Sequence, residues 1–168
     1  SFYSNATQSV ISANAVTAVT FNNTDASSNG VTVSGSNVTL ITAGVYNIQF
    51  SAQLDKASGS ASRIWIWGRL DGIDLTDSAG LITVQGTAAE TVVAWNYILN
   101  CNANARFQLM WTADDSNIQL TTVPATAFAP EVPSVILTAQ QVTNIIPGAP
   151  TGNAGGQLSG TYPNPNIN

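Results

Sequence analysis

Residues 44–54 read GVYNIQFSAQL, and the polarity of the side chains alternates through this stretch with a period of two. One set of alternate positions is apolar: Tyr46, Ile48, Phe50, Ala52 and Leu54. The other set is mostly polar and includes Asn47, Gln49, Ser51 and Gln53. Because neighbouring side chains of a β-strand point to opposite faces of the sheet, this alternation predicts an antiparallel strand that is buried on one face.

The same period of two runs through most of the chain. The stretch RIWIWGRLDGIDL at 63–75 predicts a hairpin, because Asp71 and Gly72 supply the positive φ angles of a two-residue turn. The stretch TVVAWNYIL at 91–99 is apolar on both faces, so we expect one face in the core and the other against a second subunit or a loop. With about eight to ten such strands and no helical period, the pattern predicts an all-β, antiparallel jelly-roll sandwich.

Charge is scarce in this chain. Charged residues make up 8% of the sequence, against about 25% in a typical soluble domain. The formal net charge is -5 with only 4 basic residues. A basic patch for nucleic acid or for an anionic membrane surface is therefore not expected. A surface with so few charges suits packing against neighbouring subunits.

The residue types needed for most catalytic and metal chemistry are missing or few. The chain has no His and a single Cys, Cys101, which cannot form a disulfide within the chain. The acidic clusters fall in predicted turns, where they shape the backbone: Asp71, Asp74 and Asp77, and Asp114 with Asp115. The stretch DGIDLTD lacks the spacing and the closing Glu of a calcium loop, so a calcium site is the weaker alternative. We expect no catalytic residues, no cofactor and no metal.

The composition changes after the last strand pattern. The prediction is a jelly-roll domain at residues 1–143 and a linker or attachment tail at residues 144–168, rich in Gly, Pro and Asn. No ionisable side chain follows Glu131. Pro163 and Pro165 fix their own φ angles and favour extended conformations of the residues before them. We expect a neutral, extended tail that is ordered by other chains.

The order of several motifs carries a family resemblance. TAVTFNNTD, AGVYNIQFSAQL, IWIWGRLDG, VVAWNYIL, QLMWTADDSNIQL and PEVPSVILTAQQV follow one another over residues 15–143. Together they resemble the globular-head family of the complement first component and tumour necrosis factor, in the version found in phage and algal-virus structural proteins. One turn departs from the family, with Asn104 and Ala105 where a Gly-Asp turn is usual. The resemblance implies a ten-stranded jelly roll that assembles as a tight homotrimer.

The tail carries a second resemblance. Its GGQLSGTYPNPNIN is similar to a motif that links folded modules in phage tail-fibre proteins. The matching positions are Gly155, Gly156, Leu158, Gly160, Thr161, Tyr162, Pro163, Asn164 and Pro165. The resemblance implies that this tail connector joins the domain to other virion proteins.

The aromatic residues of the strands are the candidates for an interaction surface. Trp65 and Trp67 share a predicted strand face with Arg63 and Arg69, which suits either an oligomer interface or a surface that binds sugar or protein. We favour the interface, because two exposed Trp side chains are costly to leave in water. The predicted interface residues are Trp65, Trp67, Trp95, Tyr97 and Trp111.

Two functions from different classes follow from these observations. The first is a non-enzymatic virion structural protein, a trimeric surface module of a phage tail fibre, head fibre or capsid decoration. It would be assembled in the host cytoplasm, and its partners would be its own copies, other virion proteins and a glycan or protein of the host surface. The alternative is a carbohydrate-binding jelly-roll module on a bacterial surface. A glycosidase is disfavoured because the chain has only two Glu, Glu90 and Glu131.

Overall fold

The computed structural model describes residues 1–25, 28–86 and 88–142, and the backbone of two short strands in the tail. Every helix or strand in this described part is a β-strand. Eight strands have four residues or more: β5 (Val31–Ser34), β6 (Asn37–Leu40), β7 (Gly44–Lys56), β8 (Ser62–Leu70), β10 (Gly80–Val84), β11 (Ala89–Cys101), β12 (Ala105–Ala113) and β14 (Val135–Val142). The shorter ones are β1 (Phe2–Ser4), β2 (Gln8–Ser9), β3 (Thr17–Ala18), β4 (Asn23–Thr24), β9 (Ile73–Asp74), β13 (Ile118–Leu120), β15 (Leu158–Ser159) and β16 (Asn166–Ile167).

The first sheet, sheet A, is built around β7. On one side β7 pairs with β11 over 13 residues, from Ala89 opposite Lys56 to Cys101 opposite Gly44. On its other side β7 pairs with β14 and then with β13. Beyond these two lie β1, β4 and β2. Strand β11 therefore forms one edge of sheet A.

The second sheet, sheet B, has the order β10, β8, β12, β6, β5. The short strands β9 and β3 extend it beside β8 and β12. Asp71 and Gly72 join β8 to β9 with φ angles of 49° and 83°. Two successive positive φ angles are what a two-residue hairpin turn requires, so the predicted turn is confirmed. All strand pairs are antiparallel, as predicted.

The core lies between the two sheets. The apolar set of β7 is buried, as its alternation predicts: Tyr46, Ile48, Phe50, Ala52 and Leu54. Sheet B contributes the inward residues of β8 and β12, which are also buried: Ile64, Ile66, Phe107, Leu109 and Trp111. The all-β sandwich expected from the sequence is therefore confirmed by the packing of the two sheets.

A buried lysine ties the two sheets together at one end. Lys56, the last residue of β7, is fully buried, and its Nζ lies 2.5 Å from Oδ2 of Asp115. Ser62 of β8 donates its hydroxyl to the same oxygen at 3.2 Å, and the backbone N–H of Asn117 donates to Oδ1 at 2.9 Å. The hydrogen bond from Lys56, followed by that from Asn117, lowers the pKa of Asp115 to about 2. The sequence analysis did not identify this pair.

In the tail, β15 and β16 pair with each other in the antiparallel sense, with Leu158 opposite Ile167 and Ser159 opposite Asn166. These two segments therefore run in opposite directions, and the extended form of the tail as a whole stays a prediction. The other positions of the tail connector lie outside the described residues. The domain boundary at residue 143 and the homotrimer stay predictions. In the described part of the chain, no helix has the length and apolar character to cross a membrane.

Candidate interaction surfaces

The outer face of sheet A has no ionisable side chain over most of its area. We call it the neutral face and define it by outward positions of β7, β11 and β14: Val45, Asn47, Gln49, Ser51, Val92, Ala94, Asn96, Ile98, Ile136, Thr138, Gln140 and Val142. Asp55 and Glu90, which lie opposite each other, bound it at one end. This is the second apolar face that the sequence predicted for residues 91–99.

Large apolar side chains on the neutral face are open to solvent. Val92 and Ile98 are 62% and 60% exposed, and Ile136 is 39% exposed. Ala94 lies opposite Ser51, which in turn lies opposite Ile136, so small and apolar groups meet across three strands. Because these side chains are exposed, the described residues do not supply the loop that the sequence analysis offered as one way of covering this face.

The inward side of β11 forms an aromatic seam where the edges of the two sheets meet. The ring of Trp95 packs edge-on against Phe50 at 4.5 Å between centroids, and its Nε1 donates to the hydroxyl of Tyr97 at 2.8 Å. Burial raises the pKa of Tyr97 to about 12. A Cβ added at Gly80 of β10 would lie 2.5 Å from Cη2 of Trp95. The seam therefore depends on a glycine at position 80.

Three of the five predicted interface residues point into the sandwich. Tyr97 is 7% exposed and Trp111 is fully buried, and no described residue accepts a hydrogen bond from Nε1 of Trp111. Trp95 belongs to the seam described above and is only partly buried. The burial of Tyr97 and Trp111 is due to packing within the chain. The structure therefore places these two residues in the core and not at the predicted interface.

Trp65 and Trp67 lie on the outer face of sheet B, beside Arg63 and Arg69, as predicted. We call these four residues the tryptophan face. Arg63 pairs with Asp114 at 3.2 Å, and its guanidinium carbon lies 5.4 Å from the centre of the Trp65 ring. Both Arg69 and Trp67 donate to Oδ1 of Asp74, at 2.6 Å and 2.8 Å.

The hydrogen bonds to Asp74 favour the ionised forms of Arg69 and Asp74. The bonds from Arg69 and then Trp67 lower the pKa of Asp74, and the bond to Asp74 raises the pKa of Arg69. The pair is therefore ionised across the ordinary pH range, and it holds the Trp67 ring in place.

A polar pocket of about 430 Å³ lies at the end of the tryptophan face. Its lining residues are Asn37, Asp71, Gly72, Asn104, Arg106 and Gln108. Two turns build it, because Asp71 and Asn104 both have positive φ angles, of 49° and 61°. The backbone N–H of Arg106 donates to Oδ1 of Asp71 at 2.8 Å, which locks the two turns together.

Four of the five acidic residues of the predicted turns already accept hydrogen bonds. Asp71 and Asp115 accept from backbone N–H groups of Arg106 and Asn117. Asp114 likewise accepts from the backbone N–H of Arg63. No group of three or more His, Cys, Asp or Glu side chains that could hold a metal ion occurs within the described residues.

The similarity of this chain to known proteins is a distant one, in structure and not in sequence. No protein-family model matches the chain, and no curated protein sequence matches it. Among solved structures it is similar to the PRD1 vertex protein P5, with a TM-score of 0.43 and 16% sequence identity, over 84% of this chain and 94% of that chain. A likeness this distant assigns no function.

Proposed function

We propose that this chain is a non-enzymatic structural protein of a virion surface, and that it assembles as a homotrimer through its neutral face. The observation that carries the proposal is the exposure of apolar side chains on a sheet face without ionisable groups. Contiguous exposed apolar surface on a soluble domain is typical of a surface that binds another protein.

A second copy of the same chain suits the chemistry of this face. The face has no charge to desolvate, so its burial does not incur the large cost of removing ions from water. Its amide side chains can pair with one another, as Asn96 and Asn47 do at 3.3 Å within one chain. Burial of Val92, Ile98 and Ile136 would add about 25 cal/mol for each Å² of apolar surface removed from water.

The number of subunits and the viral setting come from the two resemblances in the sequence. The globular-head resemblance implies three copies, and the tail connector motif implies attachment to other virion proteins. The observed sandwich of two sheets is the type of fold that the globular-head resemblance implies. A structural role is also supported by the acidic residues described above, because their hydrogen bonds hold turns and strands together.

The oligomeric state of the full chain tests this proposal. Sedimentation velocity at micromolar concentration should give a species with three times the 17.4 kDa mass of one chain. A stable monomer under these conditions would contradict the proposal. To test the setting, an antibody raised against the chain should label the surface of intact particles, and labelling of disrupted particles alone would argue against a surface position.

A carbohydrate-binding module is the second candidate, and the tryptophan face favours it. Trp65 and Trp67 are half-buried. Partly accessible indole rings beside ionised and amide side chains are typical of sites that bind polar ligands. This candidate predicts affinity for a glycan whether or not the chain forms a trimer.

A further inference from the structure

We propose that the polar pocket beside the tryptophan face binds a neutral oligosaccharide. The inference rests on the second candidate function, the carbohydrate-binding module, and names the site that would bind the sugar. It does not depend on the trimer, because the pocket lies on sheet B and the neutral face on sheet A.

The lining of the pocket suits a ligand with many hydroxyl groups. Asn37, Asn104 and Gln108 carry amide groups, each of which has both donors and acceptors of hydrogen bonds. A sugar hydroxyl can also both donate and accept a hydrogen bond. The amide oxygen can therefore accept from it, and the amide NH2 group can donate to it. Arg106 adds donors and Asp71 adds acceptors at the same rim.

The outward side chains of β8 lie next to the pocket in the sheet. Gln108 of the pocket lies opposite Arg69 in the sheet, and Trp67 lies two residues before Arg69 on the same outward face. The pyranose ring of a sugar has an apolar face that can pack on an indole ring, while its hydroxyl groups point outward. An oligosaccharide that places one unit in the pocket could therefore lay a neighbouring unit against Trp67.

The site is preorganised for such a ligand. Trp67 is held by its hydrogen bond to Asp74, and Gln108 donates to Ser36 at 3.0 Å. The two turns that line the pocket are joined through Asp71. Fixed side chains lose little conformational entropy on binding, which favours affinity.

The charges of the site indicate an uncharged ligand. Arg63 pairs with Asp114 and Arg69 with Asp74, while Arg106 and Asp71 share the pocket. Two of the three guanidinium groups are thus paired with a carboxylate, and the third lines the same pocket as one. The formal charges of these six side chains cancel, so they do not select for an acidic or a basic ligand. A neutral sugar chain fits this balance better than a uronic acid polymer or a charged peptide.

Isothermal titration of the full chain with named sugars tests the proposal. The neutral probes are cellohexaose, maltohexaose, mannohexaose and chitohexaose, and the acidic probe is hexagalacturonate. At least one neutral probe should bind and change the intrinsic tryptophan fluorescence. Asn104→Gly removes an amide and keeps the positive φ angle, and it should weaken that binding at least about tenfold.

Two further variants make the test specific. Trp67→Leu removes the indole ring and should also weaken binding at least about tenfold, with the far-ultraviolet circular dichroism checked for an intact fold. Val92→Ser, on the neutral face, is the matched control and should leave the affinity unchanged.

The proposal is overturned by any of three results. These are no binding of any neutral probe at millimolar concentration, unchanged affinity in both Asn104→Gly and Trp67→Leu, or tighter binding of hexagalacturonate than of every neutral probe. None of them would alter the oligomeric state, so failure of this site is distinguishable from failure of the trimeric assembly.

Discussion

The two outer faces of the sandwich differ sharply in their chemistry. The neutral face of sheet A exposes Val92, Ile98 and Ile136 among amide and hydroxyl side chains and has no ionisable group. The tryptophan face of sheet B holds two indole rings between Arg63 and Arg69, each paired with a carboxylate. The proposed trimer would remove water from the first face and leave the second in contact with solvent.

The positions of the basic residues follow the same division. The chain has 4 Lys and Arg residues in total. Arg63, Arg69 and Arg106 lie on the outer side of sheet B, and Lys56 is buried at the end of the core. None of the four lies on the neutral face. This separation leads us to assign assembly to one sheet and ligand binding to the other.

The largest effect should come from a charge at the centre of the neutral face. Ala94→Arg would bury an unpaired guanidinium in the assembly, and we expect self-association to weaken by more than about a hundredfold. Sedimentation velocity should show a monomer at concentrations where the unaltered chain is trimeric.

Ile11→Arg is the matched control for that variant. Ile11 is 92% exposed in a loop away from the neutral face, so the same change of side chain should leave assembly intact. If Ala94→Arg and Ile11→Arg had the same effect on assembly, the neutral face would not differ from the rest of the surface in its contribution to assembly.

The second prediction compares how much the inward and the outward side chains of β7 contribute to the free energy of unfolding. In the Ala94→Arg background, where dissociation does not complicate unfolding, Leu54→Ala should lower the free energy of unfolding by about 2–5 kcal/mol, because Leu54 is fully buried. Gln53→Ala on the outer side should change it by less than about 0.5 kcal/mol. Denaturant titration measures both, and a comparable loss at the two positions would show that the outer side also stabilises the monomer.

The aromatic seam gives a smaller expected effect. Gly80→Ala places a methyl group against Trp95, and we expect a loss of about 1–3 kcal/mol in the free energy of unfolding. Because the clash involves Trp95, the cost should shrink when Gly80→Ala is combined with Trp95→Phe. If the effects of Gly80→Ala and Trp95→Phe on the free energy of unfolding were strictly additive in a double-mutant cycle, β10 and β11 would not be in contact at these two residues.

The smallest effect concerns pH and the pair that joins the sheets. The pKa of Asp115 is about 2 in the folded chain, below its ordinary value of 3.8. A depressed folded pKa stabilises the protein above the unfolded value, and this stability is lost as the pH falls from about 4 towards 2. A carbon-detected NMR titration of the Asp115 carboxyl group should give a midpoint near 2, and a midpoint near 3.8 would contradict the contacts described.

The sequence predicts the fold well because the period of two is clear in the longest strands. The alternation of residues 44–54 identifies the buried side of β7, and Asp71 with Gly72 marks the hairpin. The pattern is less informative at residues 91–99, where both faces are apolar. It cannot tell which of Trp95 or Ala94 faces the core, since that depends on the strand that pairs with β11.

Other features depend on contacts between distant parts of the chain. Lys56 and Asp115 are separated by 59 positions, and nothing local to either one predicts the pair. Trp111 resembles Trp65 and Trp67 in sequence, as an aromatic residue in an alternating strand. Only its register against β8 shows that it faces inward. The polar pocket likewise arises where two separate turns meet.

The most direct test asks which outer face is covered in the assembly. Single cysteines introduced as Asn96→Cys on the neutral face and Thr83→Cys on the outer side of sheet B, in a Cys101→Ala background, can be labelled with a maleimide in the assembled protein. The account predicts rapid labelling of Thr83→Cys and strong protection of Asn96→Cys, with the protection lost when Ala94→Arg is added. Equally rapid labelling at both positions in an assembled trimer would contradict it.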